Sequence, residues 1–320
     1  MRNFWQDLPR PFFALAPMED VTDAAFRRLI AKYGKPHVFF TEFTSADGLA
    51  LADEKGQRNL RKGLEYSEAE RPIVAQLFSS SPQYMEQGAA IARELGFDGV
   101  DINMGCPVNE VVNQHCGAAL IKDPARAREI IRATTRGAGD LPVSVKTRLG
   151  YHEDELDTWL PELLAEEPAV VTIHARTRKE MSAVPARWER VAAAVKIRDS
   201  LKSKTLIVGN GDVVDLKDAS NKAAATGCDG VMLGRAIYGN PWLFADRDTS
   251  PTREEHIRAL IEHIGLFQEH MSGFVNDALM KKHFKAYISG WDNAKELRMQ
   301  LMDAASLNEA KSLLAAELGI

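Results

Sequence analysis

Short apolar, β-branched runs alternate with longer segments of helical periodicity through the first 245 residues. The runs lie at 12–16, 38–43, 73–78, 99–104, 143–147, 170–174, 206–209 and 230–233. Between most of them apolar positions recur every three to four residues, as in PQYMEQGAAIARELG and DPARAREIIRATTRG, which predicts amphipathic helices. Strands that alternate with helices pair in parallel, and eight such units are what a closed (β/α)8 barrel needs. A doubly wound open sheet is the structural competitor, and it suits eight evenly paced units less well. The expected class is therefore α/β, a TIM barrel.

The pattern changes after Asn240-Pro241-Trp242 and the polar stretch 246–253. No strand-like run follows. The segments 254–270, 276–289, 293–305 and 307–318 each read as amphipathic helices, punctuated by Gly273, Gly290 and Trp291-Asp292-Asn293. The expected organisation is a barrel over 1–245 followed by a small all-helical domain over 246–320.

Composition narrows the class without deciding the function. Of 320 residues, 45% are hydrophobic and 27% charged, the balance of a folded soluble chain. Three cysteines, Cys106, Cys116 and Cys228, form neither a disulfide framework nor a CxxC pair, which fits a reducing, cytoplasmic setting. The opening residues lack the uninterrupted apolar core of a signal peptide, and no apolar run nears the roughly 18 residues of a membrane helix. No metal-ligand set and no membrane partner are expected. A net charge of −5 makes the whole chain no attractor for polyanions, but local basic stripes still serve RNA on a mildly acidic protein.

Candidate chemistry sits where the barrel strands end, because active sites of this fold form at the C-terminal face. Nearly every predicted strand delivers a polar group there: Pro17-Met18-Glu19, Glu42, Gln76, Asn103 with Cys106, Lys146 with Arg148, His174 with Arg176, Asn210-Gly211-Asp212, and Gly234-Arg235. That convergence points to an enzyme. The last two groups follow the seventh and eighth strands, where barrels of this kind commonly bind phosphate. Glycine lets backbone N–H groups approach phosphate oxygens, and Arg235 offers a bidentate contact. Lys146, at the end of an apolar strand, suits a delocalised anion such as a reduced flavin. Cys106 sits on a tight loop between glycine and proline; a thiol of ordinary pKa, about 8.5, is mostly protonated at neutral pH and serves as a general acid. Cys116 and Cys228 read as packing.

These residues fall into ordered motifs: APMEDVTD (16–23), TEF (41–43), AQLF (75–78), DINMGCP (101–107), GAAL (117–120), VSVKTRLG (143–150), HART (174–177), GNGD (209–212) and MLGRAIYGNPWLF (232–244). The set resembles the tRNA-dihydrouridine synthases. The tail resembles the RNA-contacting domain of that family through MKKHFKAY (280–287) and ELR (296–298). The resemblance implies an FMN enzyme that reduces the C5–C6 double bond of uridines in tRNA, with NADPH as electron source. It implies that Pro17, Met18 and Glu19 line the flavin, and that Gln76, Lys146 and His174 contact or flank its ring system. Asn210, Gly211, Asp212, Gly234 and Arg235 would hold the ribityl phosphate. Cys106 would protonate C5 as hydride reaches C6, with Asn103 helping to seat the uracil. Flipping the uridine out of its stack costs a few kcal/mol. RNA contacts are expected from Arg148, Arg176, Arg178 and Lys179 after the fifth and sixth strands, and from Lys281, Lys282 and Lys285 in the tail. The protein is expected to act as a monomer.

Two departures flank the proposed acid. Glu110 stands where family members carry a lysine, and NQHCG (113–117) replaces a more glycine-rich loop. Both bear on which uridine is chosen, a property the sequence leaves open. The competing readings are an FMN barrel acting on a free pyrimidine or other small molecule, and a non-catalytic RNA-binding barrel. The basic helical tail counts against the former; the latter predicts that Cys106→Ala is silent.

Overall fold

The structure is a computed structural model and describes residues 3–245, 247 and 249–320. Asp246 and Asp248, in the polar stretch after the predicted barrel, lie outside the described residues. Proximity along the backbone divides the chain into two units. One holds residues up to Met18 together with His37–Leu64 and Arg71–Gly234; the other holds Glu19–Pro36, Glu65–Glu70 and Arg235–Ile320.

The first unit is the barrel. Its strands are β1 (Phe12–Leu15), β2 (Phe39–Phe40), β3 (Thr44–Ser45), β4 (Ile73–Phe78), β5 (Gly99–Met104), β6 (Val143–Arg148), β7 (Val170–His174), β8 (Leu206–Asn210) and β9 (Gly230–Leu233). All pair in parallel, in the order β1-β9-β8-β7-β6-β5-β4-β2. The ring closes where Leu15 N–H donates to Val38 O at 3.1 Å and Ala14 bridges Val38. The expected run 38–43 thus contains β2, with β3 just beyond it; both pair with β4 at one barrel position, and Thr41 N–H donates to Val74 O at 3.0 Å before residues 42–43 leave the ladder. These strands are almost wholly buried, as a parallel sheet covered by helices requires.

Helices return the chain between strands, among them α2 (Ala46–Leu51), α3 (Glu54–Gly63), α4 (Pro82–Glu94), α5 (Asn109–Val112), α6 (Pro124–Ala138), α7 (Leu156–Leu164), α8 (Trp188–Ser200) and α9 (Leu216–Thr226) in this unit. Proline at the first turn and a side-chain cap, Ser81 for α4 and Asp123 for α6, start the two longest of those ahead of β6. Trp5, 1% exposed, packs its ring 5.4 Å from Phe12 and 6.3 Å from Phe40. Complete burial of so large a side chain is worth about 1.5–3 kcal/mol. It caps the N-terminal end, which leaves the C-terminal end for chemistry.

The second unit gathers α1 (Ala24–Tyr33) with α10 (Arg253–His270), α11 (Lys281–Tyr287), α12 (Ala294–Asp303) and α13 (Leu307–Glu317). The predicted helix 276–289 is a 3-10 turn, Asp277–Met280, running into α11. Asp23 caps α1 through Phe26 N–H at 2.8 Å. Arg27 Nε lies 2.7 Å from Glu70 Oε2 with both side chains fully shielded, and its remaining donors reach Thr22 O and Glu65 O. Thr252 and Glu255 form a reciprocal capping box at the start of α10. Among the described residues no helix is long and apolar enough to cross a membrane.

Candidate active site

Period-two alternation turns every second residue of β5 and β6 inward, and the strand register then aligns them in layers. Gln76, Asp101 and Ser144 stand opposite one another across β4, β5 and β6; Asn103 stands opposite Lys146; Arg148, His174 and Asn210 form the layer at the C-terminal mouth. The polar groups singled out from the sequence in the barrel strands are therefore brought to one end.

The turn bearing Cys106 is built from this stack. Asn103 Oδ1 accepts from Gly105 N–H at 3.1 Å and from Cys106 N–H at 2.8 Å. Asn103 Nδ2 donates to Gln76 Oε1 at 3.1 Å, and Gln76 Nε2 donates to Asp101 Oδ2 at 2.7 Å. Ser144 Oγ donates to the other oxygen, Asp101 Oδ1, at 2.5 Å. Asp101 is fully buried, and desolvation pushes its carboxyl up to about 6, opposed by these two hydrogen bonds and by the Lys146 charge. From the far side Arg148 Nε donates to Gly105 O at 2.7 Å, and Arg178 reaches Pro107 O and Asn109 Oδ1 at 3.2 and 2.7 Å. Cys106 keeps partial exposure at the mouth.

Lys146 Nζ lies 3.5 Å from Asn210 Oδ1, and Asn210 Nδ2 donates to Met232 O at 2.8 Å. Desolvation, then the neighbouring Arg148, lower the Lys146 ammonium to about 8, while Asp101 and Cys106 pull the other way. His174 Nε2 lies 3.1 Å from Arg176 Nη1. Asp212 forms an ion pair with Arg176 and accepts Ala186 N–H at 2.9 Å, so its carboxylate is engaged within the loop. Gly211 has φ +126°, and a Cβ there would stand 2.8 Å from Ala186 Cβ and 3.2 Å from His174 Cδ2. Gly234 differs: a Cβ would meet only Ala16 Cβ and Met18 Sδ, both at 3.6 Å, so neither backbone nor packing demands glycine there.

Other expected residues are engaged differently. Arg148 and Arg176 are 6% and 2% exposed; Arg148 also donates to Thr177 O and Met181 O, and Arg176 to Val184 O. Both knit the barrel mouth and present no guanidinium to solvent. Pro17 and Met18 close the first unit's opening segment, half-buried. Glu19 and Arg235 belong to the second unit, and both are exposed. The Glu19 carboxyl is pushed up to about 7 by the chain crowding it and by Asp20, against Lys282. On α11, Lys281 Nζ donates to Met302 O at 2.6 Å, Lys282 Nζ pairs with Asp20 at 2.7 Å, and Lys285 is exposed. Sequence reasoning missed the role of Asp101 and Ser144. Their signal was present: polar residues at i, i+2 with Asn103 and Lys146 in strands otherwise apolar.

The sequence model of one family, described as "Dihydrouridine synthase (Dus)", matches residues 14–318. The chain belongs to the dihydrouridine synthase family. It is 43% identical over 314 residues to a "Probable tRNA-dihydrouridine synthase" of Staphylococcus aureus (strain COL), covering 98% of this chain and 94% of that one. It is 42% identical over 314 residues to a "Probable tRNA-dihydrouridine synthase 2" of Bacillus subtilis (strain 168), covering 98% and 95%. Among solved structures, morphinone reductase in complex with tetrahydroNAD superposes with a TM-score of 0.52 at 16% identity, over 75% of this chain and 87% of that one. Histamine dehydrogenase from Rhizobium sp. 4-9 gives 0.53 at 14% identity, over 79% and 48%. At such identities these two bear on the fold alone, and the fold is the TIM barrel. As a member of the dihydrouridine synthase family the protein is an oxidoreductase. In this dihydrouridine synthase family member the departures noted in the sequence cluster on one stretch. Glu110 is exposed on α5, and His115, at φ +59°, is exposed just before Gly117, whose missing Cβ leaves Cys106 O and Cβ room at 2.8 and 3.1 Å.

Proposed function

We propose that this protein reduces the C5–C6 double bond of uridine in tRNA to 5,6-dihydrouridine, with FMN as its flavin and NADPH as reductant. The observation that carries the reading is Cys106, held by Asn103 on a turn at the barrel mouth one strand from Lys146, in a chain of this family. FMN fits the residues present. The space at Gly234, bounded by Ala16 and Met18, is a cradle with no structural reason to be empty of a Cβ, whereas Gly211 is accounted for by its own φ and its packing on Ala186 and His174. Asn210, Gly211, the Asp212 backbone and Gly234 would hold the phosphate, while Pro17, Met18, Gln76, Lys146 and His174 would line the ring system. The proposed roles of Glu19 and Arg235, flavin lining and phosphate contact, rest on the family resemblance. Bound FMN would supply hydride to C6 of the uracil.

The protein's own groups do the rest. Lys146, cationic at neutral pH, stabilises negative charge where the ring system would lie. Cys106 carries the proton for C5, and the hydrogen bond from its N–H to Asn103 fixes the backbone that bears the thiol. One Nδ2 hydrogen of Asn103 goes to Gln76, and the other would meet a uracil carbonyl. Lys281, Lys282 and Lys285 on α11 would bind the tRNA backbone, as would Arg178 and Lys179 in the loop after β7. Arg148 and Arg176, expected from the sequence to touch RNA, are proposed instead to act by holding the mouth. A cytoplasmic monomer is the proposed working form.

NADPH oxidation by the FMN-loaded protein tests the reading. Consumption should rise several-fold on adding unmodified tRNA and stay at its basal rate with free uracil or orotate. Stimulation by the free pyrimidine and none by tRNA would overturn it in favour of a small-molecule barrel oxidoreductase.

A further inference from the structure

We infer that Asp101 is a positioning residue that sets the polarity of a hydrogen-bond relay ending at the Cys106 backbone. The inference rests on the proposed role of Cys106 as acid. An ionised carboxylate only accepts hydrogen bonds, and a backbone N–H only donates. Between those fixed ends stand two amides, Gln76 and Asn103, each able to turn either way. Asp101 draws the Gln76 NH2 group toward itself, which leaves Gln76 Oε1 facing Asn103. That oxygen draws the Asn103 NH2 group, which leaves Asn103 Oδ1 for Cys106 N–H. The two amides lie head to tail, and both ends demand the same direction. Ser144 locks the carboxylate from its second oxygen, so the source of the polarity does not rotate. Every member from Ser144 to Asn103 is at most 7% exposed, which keeps water from substituting for a lost partner.

Reversing the source should reverse the relay. In Asp101→Asn, the Ser144 hydroxyl, which donates to Asp101 Oδ1 in the parent, holds the carbonyl oxygen of the introduced amide, so that its NH2 group faces Gln76 Oε1 and the Gln76 NH2 turns toward Asn103 Oδ1. Asn103 would then present NH2 to Cys106 N–H, donor against donor, and the turn must shift. Adding Gln76→Glu to that variant restores an acceptor-only group in the chain. That carboxylate takes both the amide introduced at position 101 and the Asn103 amide as donors, and so returns Asn103 Oδ1 to Cys106.

The test reads Cys106 directly, as the rate of its alkylation by iodoacetamide at fixed pH, followed by peptide mass spectrometry on FMN-loaded protein without tRNA. Asp101→Asn should change that rate at least threefold, and Asp101→Asn/Gln76→Glu should bring it back within twofold of the parent. Turnover on tRNA in Asp101→Asn should fall tenfold or more with KM for tRNA within threefold. An unchanged alkylation rate in folded Asp101→Asn, or no recovery in the folded double variant, overturns the relay. Should Asp101→Asn not fold, Gln76→Leu carries the test: it cuts the relay between Asp101 and Asn103 and should change the alkylation rate at least threefold, and no change in the folded variant overturns the inference. Because alkylation needs no uridine, the relay can stand even if the protein reduces no tRNA, and the two failures are separable.

Discussion

At the scale of single residues, the barrel mouth assigns its charged groups to two kinds of work. Arg148 and Arg176 spend their donors on carbonyls and on Asp212, and burial lowers Arg148 to about 10. Lys146 makes a long contact to Asn210, and burial lowers its ammonium to about 8. Its charge is therefore present below that pH and lost as pH rises through it. FMN affinity, measured by fluorescence quenching, should weaken as pH is raised from 7 to 9. In Lys146→Met it should be about tenfold weaker at pH 7, or about 1.4 kcal/mol, and flat across that range. An unchanged pH dependence in Lys146→Met would show that the lysine does not hold the flavin. Their place toward the C-terminal ends of predicted strands made Gln76, Asn103 and Lys146 legible as mouth residues. It did not distinguish the guanidiniums that are buried from those that are exposed, because that depends on which carbonyls the loops beyond the strands bring within reach.

At the scale of elements, the eight barrel positions were legible because parallel strands buried on both faces read as continuous apolar runs. The break between β2 and β3 was not, since the pairing of Thr44–Ser45 with β4 is a property of the neighbour. Nor was the membership of α1 in the second unit, which rests on its packing against α10. Close approach sets another limit. A Cβ on Gly137 of α6 would stand 2.0 Å from Glu86 O of α4, so Gly137→Ala should destabilise by about 3 kcal/mol and lower the melting temperature by several degrees. A melting temperature equal to the parent's would refute that contact. The second unit should respond to acid. His263 and His283 lie edge to face at 4.5 Å beside Tyr287, and burial holds both below the ordinary value of 6.5, His283 at about 4 with Lys282 adding to the effect. The unfolded chain binds those protons first, so stability is present above about 6.5 and is lost as pH falls toward 4. Thermal denaturation between pH 7 and 4.5 should show that slope, and His283→Phe should flatten it; an equal slope in the variant would contradict the assignment.

At the scale of the whole molecule, a chain of net charge −5 needs local cations to hold a polyanion. On α11, Lys281 and Lys282 are already engaged by Met302 O and Asp20, whereas Lys285 is exposed. Lys285→Ala should therefore raise KM for tRNA more than either neighbour, with kcat unchanged and the salt dependence of binding shallower by less than about one unit of log-log slope. Equal effects at all three positions would mean that the existing contacts do not compete with phosphate. The central claim, that this family member reduces uridine in tRNA through Cys106, is tested most directly by nucleoside mass spectrometry. Unmodified tRNA is incubated with the protein, FMN and NADPH, then digested. Uridine that has gained two hydrogens should accumulate with the parent protein and be absent with folded, flavin-binding Cys106→Ala. No such product from flavin-loaded parent protein across a full tRNA pool, or equal product from Cys106→Ala, would contradict the account.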